Sequence, residues 1–232
     1  MSEEDLEVEW IHDTTGRFRR RPWYTRAYLD ECCERILFEF LNELYGQITV
    51  PVPTGALIKL IERDARELNL YADLTKVAEG LLGVTFFDPP GKPEVRIARA
   101  LHEDARGVHR CRFTLAHEYV HVCVHNPLYQ KAAIARRQEQ HCTGDETLAL
   151  RPKVDWMEWQ ASYAAGALLM PISRLKLVAE ACLGTIDVAP LPAQSTRATD
   201  LKQRVSEAFF VSAEAAGVRL VQLGYLANQS AI

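Results

Sequence analysis

One segment constrains this chain more than any other, the run His-Glu-Tyr-Val-His at residues 117–121. On an α-helix, residues four apart lie on one face, so His117 and His121 are expected to point in the same direction. Two imidazole rings placed this way can share one zinc ion at nitrogen-to-metal distances of ~2.0–2.1 Å. Glu118 is rotated away from that face and can take a proton from a metal-bound water. The segment therefore predicts a helix that carries a hydrolytic metal centre.

A catalytic zinc ion needs a third protein ligand and one position left open for water. Glu158 supplies a carboxylate near the start of a second predicted helix, and Ser162 lies one turn beyond it, where its hydroxyl can orient a zinc-binding histidine. His125 and Tyr163 are candidates for contacting the substrate or an oxyanion. On spacing alone, four further carboxylates stay open as ligands: Glu139, Asp145, Glu146 and Asp155.

Hydrophobic periodicity predicts both helices and strands. The predicted helices cover residues 30–44 (closed by Gly46), the region from Pro53 to Leu68, and residues 73–82, 112–125, 155–169, 200–210 and 212–223. Extended runs are predicted at 84–87 and 95–98, as a hairpin or a pair of edge strands around a turn at 88–93. The expected N-caps include Thr54, Asp73 and Asp155, Pro127 is expected to end its helix, and residues 126–152 are expected to be irregular.

Composition excludes several classes of protein. A net charge of −4 over 232 residues argues against a chain built to coat nucleic acid. No apolar run approaches the ~18–20 residues that a membrane span needs. The acidic N-terminus is the reverse of a secretory signal, so a cytoplasmic location is expected.

Two local features allow more than one interpretation. Arginines alternate with aromatic residues over 17–26, a pattern that can bind nucleic acid, but a solvated arm whose arginines pair with the acidic N-terminus is the favoured interpretation. The six cysteines include no C-x-x-C pair, so reduced thiols are expected. His141 and Cys142 have metal-binding atoms, yet their adjacency favours no particular geometry.

Three segments together resemble the ImmA/IrrE family of metallopeptidases. Residues 112–121 (RFTLAHEYVH) are similar to the family's R-F-T-l-A-H-E-l-G-H, and residues 158–171 (EWQASYAAGALLMP) to its E-x-x-A-N-x-F-A-x-x-L-L-M-P. Residues 211–224 are similar to its C-terminal pattern, and residues 91–97 fit the strand ahead of its zinc helix. Val120 replaces the usual glycine, which crowds the backbone there, and Ser162 replaces the usual asparagine, which shortens the reach of a supporting hydrogen bond.

The resemblance implies zinc ligands at His117, His121 and Glu158, with Glu118 as the base. It implies an α+β fold with a zincin-like helical core, a small β-sheet and a helical C-terminal subdomain similar to a helix-turn-helix. We therefore predict an N-terminal arm and helix at 1–50, a metallopeptidase core at 51–188 and the helical subdomain at 189–232.

The family further implies a zinc-dependent endopeptidase of bacteria or mobile elements that cleaves a regulatory protein, such as a helix-turn-helix transcriptional repressor. One alternative is a transcriptional regulator that binds DNA through residues 198–224, although the basic residues there are balanced by acidic ones. The other is a non-catalytic anti-repressor that sequesters its partner. Direct binding to nucleic acid or membranes is not expected, and manganese or iron stays open beside zinc.

Overall fold

The structure, a computed structural model, describes residues 8–78, 80–88, 90–103, 107–132, 138–143, 155–184 and 189–227. Its strands are β1 (Glu9–His12), β2 (Arg20–Trp23), β3 (Glu67–Ala72), β4 (Gly83–Phe87), β5 (Glu94–Ala98) and β6 (Gln138–Cys142). Its helices are α1 (Arg26–Tyr45), α2 (Thr54–Asp64), α3 (Ala100–Glu103), α4 (Val108–Val120), α5 (Asn126–Lys131), α6 (Trp156–Leu169), α7 (Ile172–Leu183), α8 (Thr196–Phe209) and α9 (Ala213–Gln222). The predicted α+β class is confirmed.

The main sheet has the strand order β3-β5-β4-β6. Strand β3 runs parallel to β5, while β4 is antiparallel to both β5 and β6. The two predicted strands therefore pair as an antiparallel hairpin, so that interpretation is confirmed, while the alternative of edge strands is wrong because both strands lie inside the sheet. Their side chains alternate between faces. Val84 and Phe86 join a small apolar cluster, whereas Gly83, Thr85 and Phe87 share the face that the metal-binding segment contacts.

The largest apolar cluster lies between α1, α2, α4 and α6. Leu37, Leu57, Leu115 and Leu168 come from these four helices, and all are buried within it. Helix α6 packs against both α4 and α1, and nearly all of its residues are buried, as expected of a helix that is apolar all round. This packing holds the two helices that carry the candidate ligands at a fixed distance.

Two buried arginines connect distant parts of the chain. Arg112 on α4 donates to the carbonyl oxygens of Val52, Phe209 and Phe210. Arg219 on α9 pairs with Asp30 on α1 at 2.5 Å, and the Tyr163 hydroxyl donates to the same carboxylate at 2.8 Å. Because both arginines are almost fully buried, removing the partners of either one would leave a buried charge uncompensated, which is strongly destabilising. The division of the chain into an arm and helix at 1–50, a core at 51–188 and a helical subdomain at 189–232 stays a prediction.

The region between α2 and β4 differs from its prediction. Helix α2 ends at Asp64, and Leu68, which was assigned to it, lies in β3 and faces the core. Thr54 is the first residue of α2, so Pro53 takes the N-cap position instead. Asp73 accepts bonds from the backbone and hydroxyl of Thr75, which closes a local turn. Residues 75–77 are accordingly a turn, and the helix predicted over 73–82 is wrong for the described residues of that region.

The helix that begins at Val108 does not end at Pro127. It passes through a π-helical turn at His121–His125 and continues as α5, in which Pro127 occupies the first turn. The Asn126 amide donates to the His121 carbonyl five residues back. This wider turn accommodates the proline, which lacks an N–H and would clash with the carbonyl four residues back in a regular α-helix. Part of the region expected to be irregular is therefore α5 and β6.

The C-terminal helix pair is close to its prediction. Ser195 and Ser212 cap α8 and α9 through their hydroxyls, and the joint between the helices includes Phe210 at φ 53°. Helix α8 begins at Thr196, before the predicted Asp200.

The arginine-rich segment packs onto the protein. Strands β1 and β2 form an antiparallel pair, and between them Arg17 makes an ion pair with Asp155. Arg21 lies over the rings of Trp23 and Trp156. Most of the acidic residues expected to pair with these arginines fall at 1–7, outside the described residues, and Glu9 begins β1 opposite Trp23. Among the described residues, no helix combines the length and the apolar character needed to cross a lipid bilayer.

Candidate metal centre

Three side chains converge between α4, the π-helical turn and α6. The Nε2 atoms of His117 and His121 lie 3.1 Å apart. Glu158 faces both of them, with Oε2 at 3.2 Å from His117 Nε2 and Oε1 at 3.4 Å from His121 Nε2. The two histidines are completely buried, while the Glu158 side chain keeps 15% of its exposure. The cluster is therefore reachable from one side only.

The spacing of these atoms fits a metal ion. Ligands that bind one zinc ion tetrahedrally at ~2.0–2.1 Å stand about 3.3–3.4 Å apart. The nitrogen-to-nitrogen separation and the two nitrogen-to-oxygen separations, one to each oxygen of Glu158, are close to that value, and Glu158 Oε1 has no hydrogen-bond partner although it is buried. Two nitrogens and one carboxylate oxygen, with a fourth direction open, form a set typical of catalytic zinc.

Burial controls the protonation of the cluster. Desolvation, reinforced by His125 and His117, holds the pKa of His121 well below its ordinary value. Desolvation also lowers the pKa of His125, to about 3, against a hydrogen bond that His125 donates to Gln160 and that raises it. Both rings are therefore neutral at neutral pH, which is the state in which a histidine binds a metal.

The two candidate ligand histidines are supported unequally. His121 Nδ1 lies 2.9 Å from His125 Nδ1, and His125 Nε2 lies 3.0 Å from Gln160 Oε1. With Nε2 of His121 on a metal, the proton on its Nδ1 is donated to His125, which in turn donates from Nε2 to Gln160. His117 Nδ1 has a weaker contact, 3.5 Å from Ser162 Oγ. His121 is thus held in place by a continuous buried chain, and His117 by one long contact.

Strand β4 of the main sheet contacts Glu118, the acidic residue of the His-Glu-Tyr-Val-His segment. Thr85 on β4 donates from its hydroxyl to Glu118 Oε2 at 2.5 Å. A Cβ atom on Gly83 would stand 2.5 Å from Glu118 Oε1, so only glycine leaves room for the carboxylate. Desolvation holds the pKa of Glu118 well above its ordinary value, and the Thr85 hydrogen bond opposes that shift. A cation in the neighbouring cluster would also favour the ionised form.

Residues 84–221 match the family model of the IrrE N-terminal-like domain, a peptidase family named M78. That span is more than half of the 232 residues. The chain belongs to this family. No curated protein matches the chain in a sequence search.

Membership in the M78 family supports a metallopeptidase-like function, and the described residues include a group able to hold a metal. The matched span includes His117, His121 and Glu158, whose ligand atoms all lie within 4.8 Å of one another. The roles assigned to these residues, and the identity of the metal, stay predictions at this point.

Other candidates lie elsewhere. The Tyr163 hydroxyl donates to Asp30, and the residue packs in the main core. Its hydroxyl is therefore already engaged and is not available as an oxyanion donor. His125 lies behind His121 with both ring nitrogens engaged, which suits a supporting residue and not one that contacts substrate. Val120 is buried in the main core, where the family has glycine.

Two of the four alternative carboxylate ligands lie among the described residues, and each of the two has another partner. Asp155 caps α6 through the Met157 amide and pairs with Arg17. Glu139 contacts His141 at 2.9 Å on a half-exposed part of β6. Asp145 and Glu146 lie outside the described residues.

Four residues around the site were not predicted: Gly83, Thr85, Gln160 and, as a buried member of the site, Cys142. No sequence pattern places Gly83 beside Glu118, and β6 is not predicted, so nothing places Cys142 beside β4. Gln160 is two residues from Glu158, a spacing that places the two side chains on different faces of α6, so helical periodicity gave no signal for it.

Proposed function

We propose that this chain is a zinc-dependent endopeptidase that cleaves a specific regulatory protein, such as a helix-turn-helix transcriptional repressor. The observation that carries the proposal is the convergence of His117, His121 and Glu158 at separations of 3.1–3.4 Å. Zinc suits this mixture of imidazole and carboxylate ligands with one open position.

Each residue of the site has a defined task in this proposal. His117, His121 and Glu158 would hold the ion. A bound zinc ion would supply Lewis-acid polarisation of the scissile carbonyl and acidify water. Glu118 takes the proton of the attacking water and returns it to the leaving amine. Thr85 orients the Glu118 carboxylate, which is completely buried and so shielded from bulk water.

The geometry of α9 supports a peptidase over a DNA-binding regulator. In a helix-turn-helix the second helix normally presents basic side chains to phosphate. Helix α9 carries one basic residue, Arg219, which is 1% exposed and paired with Asp30. Its acidic residue, Glu214, is exposed. This surface is unsuited to binding a polyanion.

The test replaces Glu118 by Gln, which keeps the shape of the side chain and removes its capacity as a base. Zinc-loaded wild type and variant are incubated with a panel of purified helix-turn-helix repressors, and products are mapped by mass spectrometry. We expect equal zinc by elemental analysis and roughly 10²–10⁴-fold less cleavage by the variant. Glu62→Gln, on the exposed face of α2, is the matched control.

Cleavage by Glu118→Gln at the wild-type rate would refute the mechanism. Relief of repression in cells by the uncleaving variant would favour the sequestering anti-repressor. Tight, salt-sensitive binding of the purified chain to duplex DNA would favour the DNA-binding regulator.

A further inference from the structure

A cysteine lies inside the candidate site on the side opposite α6. Cys142 is the last residue of β6, pairs in register with Gly83 on β4, and is 1% exposed. Its neighbour His141 is half-exposed and contacts Glu139. Because side chains alternate along a strand, the thiol and not the imidazole faces α4.

The thiol belongs to a second group of potential ligands. A ring nitrogen of His117, a carboxylate oxygen of Glu118 and the sulfur of Cys142 all lie within 4.8 Å of one another. Nitrogen and sulfur on one tetrahedral zinc ion stand about 3.6 Å apart, given bond lengths of ~2.0–2.1 and ~2.3 Å. Small side-chain rotations therefore bring the three atoms onto one ion.

A second observation marks the same place as a binding position. Glu118 Oε2 accepts the Thr85 hydroxyl, but Oε1 is buried and has no hydrogen-bond partner. Oε1 lies over Gly83, the residue opposite Cys142 on the neighbouring strand. A buried carboxylate oxygen without a partner is costly, and a cation beside it would remove that cost.

We propose that His117, Glu118 and Cys142 form a second metal-binding position. This position is selective for thiophilic divalent ions: it binds Cd²⁺, and it binds Zn²⁺ when zinc is present in excess. Thiolate sulfur together with imidazole prefers soft or borderline ions over Mg²⁺, Ca²⁺ or Mn²⁺. As the metal–sulfur bond forms, the thiol releases its proton to solvent, so binding exchanges one proton for one bond to the ion.

The second position excludes the first because both use His117. An ion held there also occupies Glu118, so this carboxylate cannot act as a base. The second position is then an inhibited state of the proposed peptidase. This consequence depends on the proposed function, but the existence of the position does not.

The experiment titrates the metal-free chain with CdCl₂ and records the ultraviolet thiolate-to-cadmium charge-transfer band. We expect the band in the wild type and its loss in Cys142→Ser. It should persist in Glu158→Ala, which removes a ligand of the first cluster only. Cys123→Ser is the matched control, since that thiol contacts the Val120 carbonyl and should leave the band unchanged.

Circular dichroism of each variant checks that it folds. A full-strength band in folded Cys142→Ser would overturn the proposal, because another thiol would then be the ligand. Cadmium-edge X-ray absorption of the wild type gives a test without mutation. One sulfur ligand is expected, and a site with only nitrogen and oxygen ligands would refute the proposal. Neither result depends on whether the chain hydrolyses peptides.

Discussion

The two sides of the candidate site are built differently. On the helical side, His117, His121 and Glu158 project from α4, the π-helical turn and α6, which pack against each other in the main core. On the sheet side, Thr85 and Gly83 contact Glu118 from a single strand. In the proposed peptidase, the helices supply the atoms that hold the catalytic metal, and the sheet positions the carboxylate that acts on water.

This difference indicates that metal binding and water activation are separable. Substitutions on the helical side should change metal affinity, and those on the sheet side should change hydrolysis at constant metal content. If both kinds of substitution changed both quantities to the same extent, the two sides would be one cooperative unit and the distinction would fail.

The largest effect is expected from Glu158→Ala. The carboxylate is the candidate ligand from α6, and its loss leaves two histidines with two open positions. We expect the zinc content of the purified chain to fall from about one ion per chain to a small fraction. The loss of affinity should exceed the roughly 10–100-fold cost of removing a supporting residue.

Elemental analysis and competition with a chelator measure this change, with Glu62→Ala as the control on an exposed face. Full retention of zinc in the double variant Glu158→Ala/Cys142→Ser, which also lacks the proposed second position, would keep the two histidines as ligands and remove Glu158 from that role.

The next largest effect is expected from Gly83→Ala on the sheet side. The new Cβ would stand 2.5 Å from Glu118 Oε1 and 2.8 Å from Thr114 Cγ2, so the carboxylate has to move. We expect peptide hydrolysis to fall by roughly 10²-fold or more, since general-base catalysis contributes about 10²–10⁴-fold. Zinc content should stay near the wild-type value.

Gly55→Ala is the matched control, because a Cβ there meets nothing within 4 Å. Hydrolysis is measured on a mixed peptide library with zinc-saturated protein. A parallel loss of zinc in Gly83→Ala would break the comparison between the two sides.

The sequence predicted the helical side far better than the sheet side. His117 and His121 are four residues apart, so helical geometry alone brings them together, and the similarity of 158–171 to a family pattern added Glu158. The contacts of Gly83 and Thr85 depend on the register of β4 against its neighbours and on how the sheet lies over α4. Such long-range pairing leaves no periodic signal in either segment.

The errors in the fold have one long-range cause and two local causes. Strand β6 is polar and short, so its sequence predicts an irregular segment. It is a strand because it pairs with β4. Asp73 was expected to cap a helix, but its side chain accepts hydrogen bonds from Thr75 in a local turn instead. The π-helical turn could not be predicted either, because Pro127 normally ends a helix and here is accommodated by a wider turn.

A third prediction compares the two histidine supports within the helical side. Gln160→Leu removes the acceptor for His125 Nε2 and leaves a buried donor unsatisfied behind His121. We expect zinc affinity to fall by roughly 10–100-fold. Ser162→Ala removes only a contact at 3.5 Å to His117 and should cost a few-fold at most. Zinc affinity is measured by chelator competition. Equal losses in the two variants would show that the hydrogen-bonded chain through His125 and Gln160 supports His121 no better than the Ser162 contact supports His117.

The smallest effect is expected from Thr85→Val, which removes the hydroxyl and keeps the shape of the side chain. The hydrogen bond stabilises the ionised carboxylate, so its loss raises the pKa of Glu118. Because the base is active only when ionised, the acid limb of kcat/KM should move to higher pH, and activity at neutral pH should fall several-fold. Thr75→Val is the matched control, since Thr75 donates to Asp73 at the same 2.5 Å but far from the site. An unshifted acid limb with normal zinc content would mean that the sheet fixes where Glu118 lies without setting its proton affinity.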